Sequence, residues 1–454
     1  MTAAMYLFLE HLLVVLGVTA VALSVAFALQ QRRSPQSSAA WVLFIIVLPY
    51  LAVPLFLALG FRKKRRSYVP IHFDPWSEEV EEPPPAARLL SRMGAAPATR
   101  GNRVALHTTP DEARIALDEV IDRAGERLDA LLYVLARDES GRRFLARLTE
   151  KARAGVKVRL CIDWLGSLMR PRREIAALRR AGGEVHVFSP LLHLTERGPL
   201  NLRNHRKMVI ADDAMVWAGG RNVGDEYLVE TSGGWHDLSF VATGPIVRGF
   251  SDIFHADWDA SGRGEPPDPA TETVATGDAI MQIVPAGPDE PLDLLHDGLV
   301  NLIHRADRRV WIATPYFVPT EALAQALGTA ARRAIDVRIM VPDHSNQWTA
   351  DLARGPYLRE AARAGCRILR FGPGMMHAKA GLIDGTGWLG SANLDVRSML
   401  LNFEIGVFAH DAPTVNRIES WFAALGPQCL EGAPRASRRR RLVESVFRLG
   451  APIL

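Results

Sequence analysis

The sequence predicts an α/β fold made of two duplicated α-β-α halves, preceded by an N-terminal two-helix transmembrane hairpin. Three observations predict it: strand and helix patterns alternate from Arg103 onward, the same order of patterns recurs in the second half of the chain, and two long apolar runs open it. The 454 residues suffice for two to three domains. The boundaries fall at 1–66 for the membrane anchor, 67–102 for a linker, 103–270 for the first half and 271–454 for the second.

The apolar runs are Leu12 to Leu29 and Ala39 to Phe61, the second holding Pro49 and Pro54. Each is near the ~20 residues that cross a ~30 Å hydrocarbon core. A cleaved signal peptide would carry a basic stretch before the first run, which this chain lacks, and a second span follows at once. Arg62-Lys63-Lys64-Arg65-Arg66 outnumbers the Arg32-Arg33 pair in the turn between the spans, which places residue 62 onward and the N-terminus in the cytoplasm. The basic run would rest on anionic headgroups. Ser67 to about Gly101 is Pro-rich, mixed in charge and without a period, and reads as a linker lying along the surface.

In the first half, Glu112 to Arg127, Gly141 to Ala154 and Arg172 to Ala181 read as helices. Leu128 to Leu135, Val156 to Asp163 and Val185 to Phe188 read as strands. The second half echoes this order. VIDRAGERLDALLYVLA returns as LIHRADRRVWIATPYFV, GVKVRLCID as AIDVRIMVPD, and RRAGGEVHVFSP as ARAGCRILRFGPG. The interval from Phe188 to His205 exceeds that from Phe371 to His377, so the first half carries an insertion, LLHLTERGPLN. That apolar stretch is either a membrane-facing lip or an ordinary packed loop.

Both series close on His-x-Lys-x4-Asp. The first copy sets His205, Lys207 and Asp212 before Gly219-Gly220-Arg221-Asn222, and the second sets His377, Lys379 and Asp384 before Gly390-Ser391-Ala392-Asn393. In a strand, alternate side chains share a face, so each His stands beside its Lys. If the copies face one another, two imidazoles and two ammonium groups converge on a pocket suited to a phosphate. The lysines, with Ser391 and Asn393 or Asn222, would hold its non-bridging oxygens. One His could attack phosphorus while the other protonates the leaving oxygen.

Strand WHDLSFVATG follows the first motif as NFEIGVFAHD follows the second, which aligns Asp237 with Glu404. An acid there would orient a catalytic imidazole, and the expected pairs are Asp237 with His205 and Glu404 with His377. Asp212 and Asp384 complete the catalytic motif, and at turns across the apolar strand from each His they are expected to support the structure. No carboxylate or Cys/His cluster has metal-ligand spacing. Cys161, Cys366 and Cys429, odd in number and unrelated in spacing, suit buried thiols in a reducing compartment. Gly385-x-Gly387-x-x-Gly390 matches a dinucleotide fingerprint, but it lies between two strand-like runs and reads as a hairpin turn.

At these residues the sequence resembles the phospholipase D superfamily, over nearly the whole chain. The resemblance implies a phosphohistidine intermediate, two halves related by a pseudo-twofold axis, and no metal or other cofactor. The second span with its basic run, TPYFVP from Thr314 to Pro319, the Gly219-Gly220-x-Asn222 variant and the C-terminal RRRRLVESVFRLGAPIL resemble bacterial cardiolipin synthases in particular. His236, between Trp235 and Asp237, stands where the resemblance leads us to expect Arg. The basic, amphipathic C-terminus fits lipid contact better than nucleic-acid binding.

The activity implied is transfer of a phosphatidyl group between two phosphatidylglycerols, releasing glycerol, at a bacterial inner membrane. By the same resemblance His205 is the nucleophile and His377 the acid/base. The implied partners are phospholipid substrates and the membrane, without nucleic acid. A hydrolytic phospholipase D would use the same residues, and a superfamily nuclease would have no use for the two spans.

Overall fold

A computed structural model describes residues 3–30, 35–60, 71, 73, 79–189, 202–261, 274–290 and 292–449. Among them a 15-stranded sheet runs through both halves. From the outer edge of the first half inward, its strands are Glu184–Phe188, Lys157–Asp163, Arg127–Leu132, Met208–Ala211, Met215–Gly219, Ser239–Thr243 and Thr99–His107. The second half repeats that order with Arg367–Phe371, Asp336–Pro342, Arg309–Ala313, Ala380–Ile383, Thr386–Gly390, Glu404–Ala409 and Ala279–Ala286, and adds Cys429–Glu431 at its edge. Thr99–His107 and Ala279–Ala286 pair antiparallel, which joins the halves into one sheet.

The local chemistry explains the layers. The central strands, such as Leu128-Asp129-Ala130-Leu131-Leu132, are buried on both faces because helices cover each side. Parallel pairing of Arg127–Leu132 with Lys157–Asp163, and of the latter with Glu184–Phe188, requires helical crossovers. The helices Glu139–Arg153 and Arg172–Arg180 supply them. Caps fix where helices start: Thr109 and Glu112 form a reciprocal capping box at Pro110–Arg123, and Asp138, Thr320 and Asp411 accept from the first turns of theirs. One apolar cluster spans both halves, with Leu131, Met208 and Phe240 continuous with Met281, Phe403 and Leu389.

Three expectations need correction. The stretch read as a linker is built into the fold where it is described: Pro85–Arg92 is a helix with Ala87 and Leu90 buried, and the following strand begins at Thr99. The Gln282 amide donates to Ala87 O, Ser91 Oγ and Ala96 O, so this segment is stitched to the second half. Too few apolar residues fall in so short a helix to give a visible period.

The second apolar run is not one helix. Pro35–Val47 and Pro49–Leu59 are separated at Leu48, because Pro49 has no N–H to continue the ladder and constrains the residue before it. Of the described helices only the first, with the apolar stretch Met5–Gln30, is long and apolar enough to cross a membrane. Thirdly, His205, Lys207, His377 and Lys379 lie in extended chain just before the strands rather than in them. The expected turn between the spans, the basic run Arg62 to Arg66 and the insertion at 191–201 lie outside the described residues.

Arg206, fully buried, ties the halves together. It donates to Glu404 O and Ala286 O and pairs with Asp257 at 2.8 Å and Asp289 at 3.0 Å. Replacing it strands two buried carboxylates, so Arg206→Leu should cost about 3–5 kcal/mol. A thermal unfolding scan in detergent would show this as a large drop in Tm; an unchanged Tm would contradict the assignment.

Candidate active site

Each His-x-Lys segment is an approach to a hairpin, Met208–Ala211 with Met215–Gly219 and Ala380–Ile383 with Thr386–Gly390. The Asp of each copy sits in the hairpin turn with positive φ, 50° at Asp212 and 51° at Asp384. Its carboxylate gathers three successive backbone N–H groups that lead into the neighbouring strand. Asp212 accepts from Gly125, Glu126 and Arg127, and Asp384 from Asp307, Arg308 and Arg309. These bonds hold the Asp384 carboxyl below its ordinary range against the effect of burial. Both acids thus serve the fold and stay out of the cavity.

The histidines are held by the opposite half. His205 N donates to Phe403 O at 2.9 Å, and Phe403 N donates back to Arg203 O. In the mirror-image place Met375-Met376 pairs parallel with Trp235-His236, and His377 N donates to His236 O at 2.7 Å. Asp237 follows His236, and Glu404 follows Phe403. Each acid is therefore delivered to the imidazole of the other half: His377 Nδ1 lies 2.6 Å from Asp237 Oδ2 and His205 Nδ1 lies 3.4 Å from Glu404 Oε1. The expected pairing of Asp237 with His205 and Glu404 with His377 is wrong for this physical reason.

These groups meet in one cavity of 560 Å³, lined among others by His205, Lys207, His377, Lys379, Asn222, Ser391 and Asn393. Lys207 Nζ donates to His205 O at 2.5 Å, and Lys379 Nζ reaches His377 O, so each Lys folds back towards its own His. Ser391 Oγ donates to Glu404 Oε2 at 2.5 Å and accepts from Ile405 N. Its counterpart is Gly220, where a Cβ would lie 2.1 Å from Asp237 Oδ1, so only glycine leaves room for that acid. Asn222 Oδ1 accepts from Val134 N, tying the wall of the cavity, while Asn393 is buried in it.

Other lining residues were not singled out in the sequence. Tyr133 lies 3.8 Å from the His205 ring and Trp235 4.6 Å from that of His377, centroid to centroid. Arg203, Arg397, Tyr227 and Tyr316 belong to the wall as well. Tyr133 and Tyr316 follow the carboxyl ends of equivalent strands, a position that marks ligand sites in α/β sheets and was the available signal.

Burial dominates the electrostatics. It lowers both imidazoles, His205 well below its ordinary value and His377 to about 4, with the adjacent lysines adding to the effect. Lys379 falls to about 7, through burial and repulsion from Lys207 and despite Asp237, and burial lowers Lys207 as well. Burial raises Glu404 to about 7, while Lys379 and His377 overcome burial to keep Asp237 below its usual range. A cavity that presses four cationic or protonatable nitrogens together is relieved by an anion. Among the described residues no group of three or more His, Cys, Asp or Glu side chains is placed to hold a metal ion.

Comparison with known proteins gives the family of the chain. The family model described as cardiolipin synthase, phospholipase D-like domain, matches residues 117–258 and 299–425. Cardiolipin synthase A of Pseudomonas fluorescens is 33% identical over 448 residues, covering 93% of this chain and 94% of the relative. Cardiolipin synthase A of Pseudomonas aeruginosa is 32% identical over 453 residues, covering 93% and 91%. Among solved structures, the phosphatidylserine synthase of Haemophilus influenzae superimposes with a TM-score of 0.58 at 16% identity, over 77% of this chain and 95% of that one, a likeness of fold.

Two measurements follow from the geometry. In a protein labelled with ¹⁵N at histidine, Asp237→Asn should perturb the ring nitrogens of His377 and Glu404→Gln those of His205; the reverse pattern would contradict the crossed pairing. Because Lys379 is held near 7 and an anion raises it, sulfate binding near pH 7 should take up protons. Calorimetry in buffers of different ionisation enthalpy reads that uptake, and proton release would refute it.

Proposed function

Because the chain belongs to the cardiolipin synthase family of phospholipase D-like proteins, we propose that it is a membrane phosphatidyltransferase that converts two phosphatidylglycerols into cardiolipin and glycerol. The observation that carries the reading is the convergence of two His-Lys pairs, each imidazole with a carboxylate from the opposite half, on a single cavity.

The first phosphatidylglycerol places its phosphodiester between the histidines, with Lys207 and Lys379 on the non-bridging oxygens. Its negative charge offsets the repulsion that lowers both imidazoles and favours a protonated His377. Neutral His205 attacks phosphorus through Nε2, the bond to the headgroup oxygen breaks, and His377 gives that oxygen a proton, so glycerol leaves. His377 then takes the proton from a headgroup hydroxyl of the second phosphatidylglycerol. That oxygen displaces His205 from phosphorus, giving cardiolipin and restoring both side chains. The short His377–Asp237 contact suits the imidazole that is protonated before the first step and again after the second, and the longer His205–Glu404 contact suits the nucleophile.

The membrane part of the reading rests on the helix Ala3–Gln30 and on the two short apolar helices after it, which pack against it as a hairpin would require. By the positive-inside rule the basic run Arg62 to Arg66 supports catalytic halves on the cytoplasmic side of a bacterial inner membrane.

Detergent-purified protein with labelled phosphatidylglycerol and EDTA should form cardiolipin and glycerol. His205→Ala and His377→Ala should each reduce turnover by about 10³-fold or more. Phosphatidic acid as the main product would indicate a hydrolase instead, and dependence on added divalent metal would contradict the mechanism.

A further inference from the structure

The C-terminal helix Arg438–Leu449 is amphipathic, but it is mounted the unexpected way round. It lies on the helix Trp348–Arg363 through its charged side. Glu444 is buried there, accepting from Arg359 and, at 3.0 Å, from Arg440, while Arg448 pairs with Glu360. Gly355 permits the close approach, since a Cβ at that position would lie 2.8 Å from the Glu444 carboxyl carbon. The apolar side faces outward: Leu442 is 71% and Val446 60% exposed, one turn apart on one stripe. Arg438, Arg439 and Arg441 beside that stripe are exposed as well.

The helix that carries this stripe is joined to the cavity. Phe447 packs edge-on against Trp348 at 5.5 Å, and Asn346 and Gln347, immediately before Trp348, line the cavity. Trp348 itself is 67% exposed. It is the sixth residue after the strand Asp336–Pro342, and the sixth residue after the equivalent strand Lys157–Asp163 is Met169, 71% exposed. The two turns start alike, with Trp164 N donating to Phe188 O and Asp343 N to Phe371 O. Leu165 in the first turn also lines the cavity. Two exposed apolar side chains thus flank the cavity as a pseudo-symmetric pair. The exposed Arg172 and Arg173 accompany one, and the arginines of the C-terminal helix accompany the other.

Resting on the lipid-transferase reading above, we propose that this face, with Leu168 and Met169 on one side of the cavity and Trp348, Leu442 and Val446 on the other, docks on an anionic phospholipid bilayer and turns the cavity mouth towards it. Apolar side chains enter the headgroup layer while the arginines meet lipid phosphates, the division expected of an interfacial helix. The charge of the rim selects an anionic surface over a second copy of this chain, whose same face would present the same arginines.

The test compares one chain in two media. In the full-length protein, Leu442→Glu with Val446→Glu should lower cardiolipin formation from phosphatidylglycerol in bilayer vesicles by about tenfold or more, and from phosphatidylglycerol in detergent micelles by less than about twofold. Equal loss in both media, or loss in neither, would overturn the proposal. A second measurement is independent of turnover. Val446→Cys in a Cys429→Ser background, with Cys161 and Cys366 buried, carries a fluorophore that brominated phosphatidylglycerol should quench in vesicles. Chain-to-chain cross-linking at that position without lipid quenching would mean a dimer face and overturn docking. A wild type that forms no cardiolipin in either medium would remove the transferase reading, while quenching would still report the docking face.

Discussion

The structure depends on a pair of backbone hydrogen bonds, His205 N to Phe403 O and His377 N to His236 O, that cross the pseudo-twofold axis. Each fixes an imidazole against a segment of the opposite half, and the next residue of that segment is the carboxylate the imidazole meets. A half on its own would hold a histidine and a lysine with no acid. The buried Arg206, which donates to the Glu404 carbonyl from the residue next to His205, reinforces the same contact. Covalent duplication explains how an internally symmetric sheet can present one cavity rather than two.

The symmetry is nevertheless incomplete, and its departures have physical consequences. A shorter acid faces Gly220 and a longer one faces Ser391, so one imidazole has a tight carboxylate contact and the other a looser one. The shared effect of burial is to lower both lysines and both histidines while raising Glu404. Such a site disfavours the charged forms of its own groups, and a phosphodiester opposes that for the four nitrogens. Binding and activation then draw on the same electrostatics.

Much of this was legible in the sequence because it is local. Strand–helix alternation gave ranges such as Val156 to Asp163 and Arg172 to Ala181, within a residue or so of the observed Lys157–Asp163 and Arg172–Arg180. The His-x-Lys-x4-Asp spacing singled out His205, Lys207, His377 and Lys379, which the fold does bring together, while Asp212 and Asp384, counted in the same motif, stay at their turns outside the cavity. The carboxylate partners were misassigned because aligning two halves shows which residues are equivalent and says nothing of whether contacts run within a half or across the axis. The helix Pro85–Arg92 escaped notice because two buried side chains set no period. Arg203 and Arg397 reach the cavity through tertiary folding that no short pattern encodes.

The central claim is that phosphorus passes through a histidine in this crossed site, and rapid quenching tests it most directly. Protein mixed with phosphatidylglycerol labelled at phosphorus, quenched in base during turnover and mapped by peptide, should carry acid-labile, base-stable label on His205. In His377→Ala the label should form more slowly and, once formed, persist longer, because the leaving oxygen lacks its proton donor and the incoming hydroxyl its base. Cardiolipin accumulating with no histidine-bound phosphorus at any time would contradict the account.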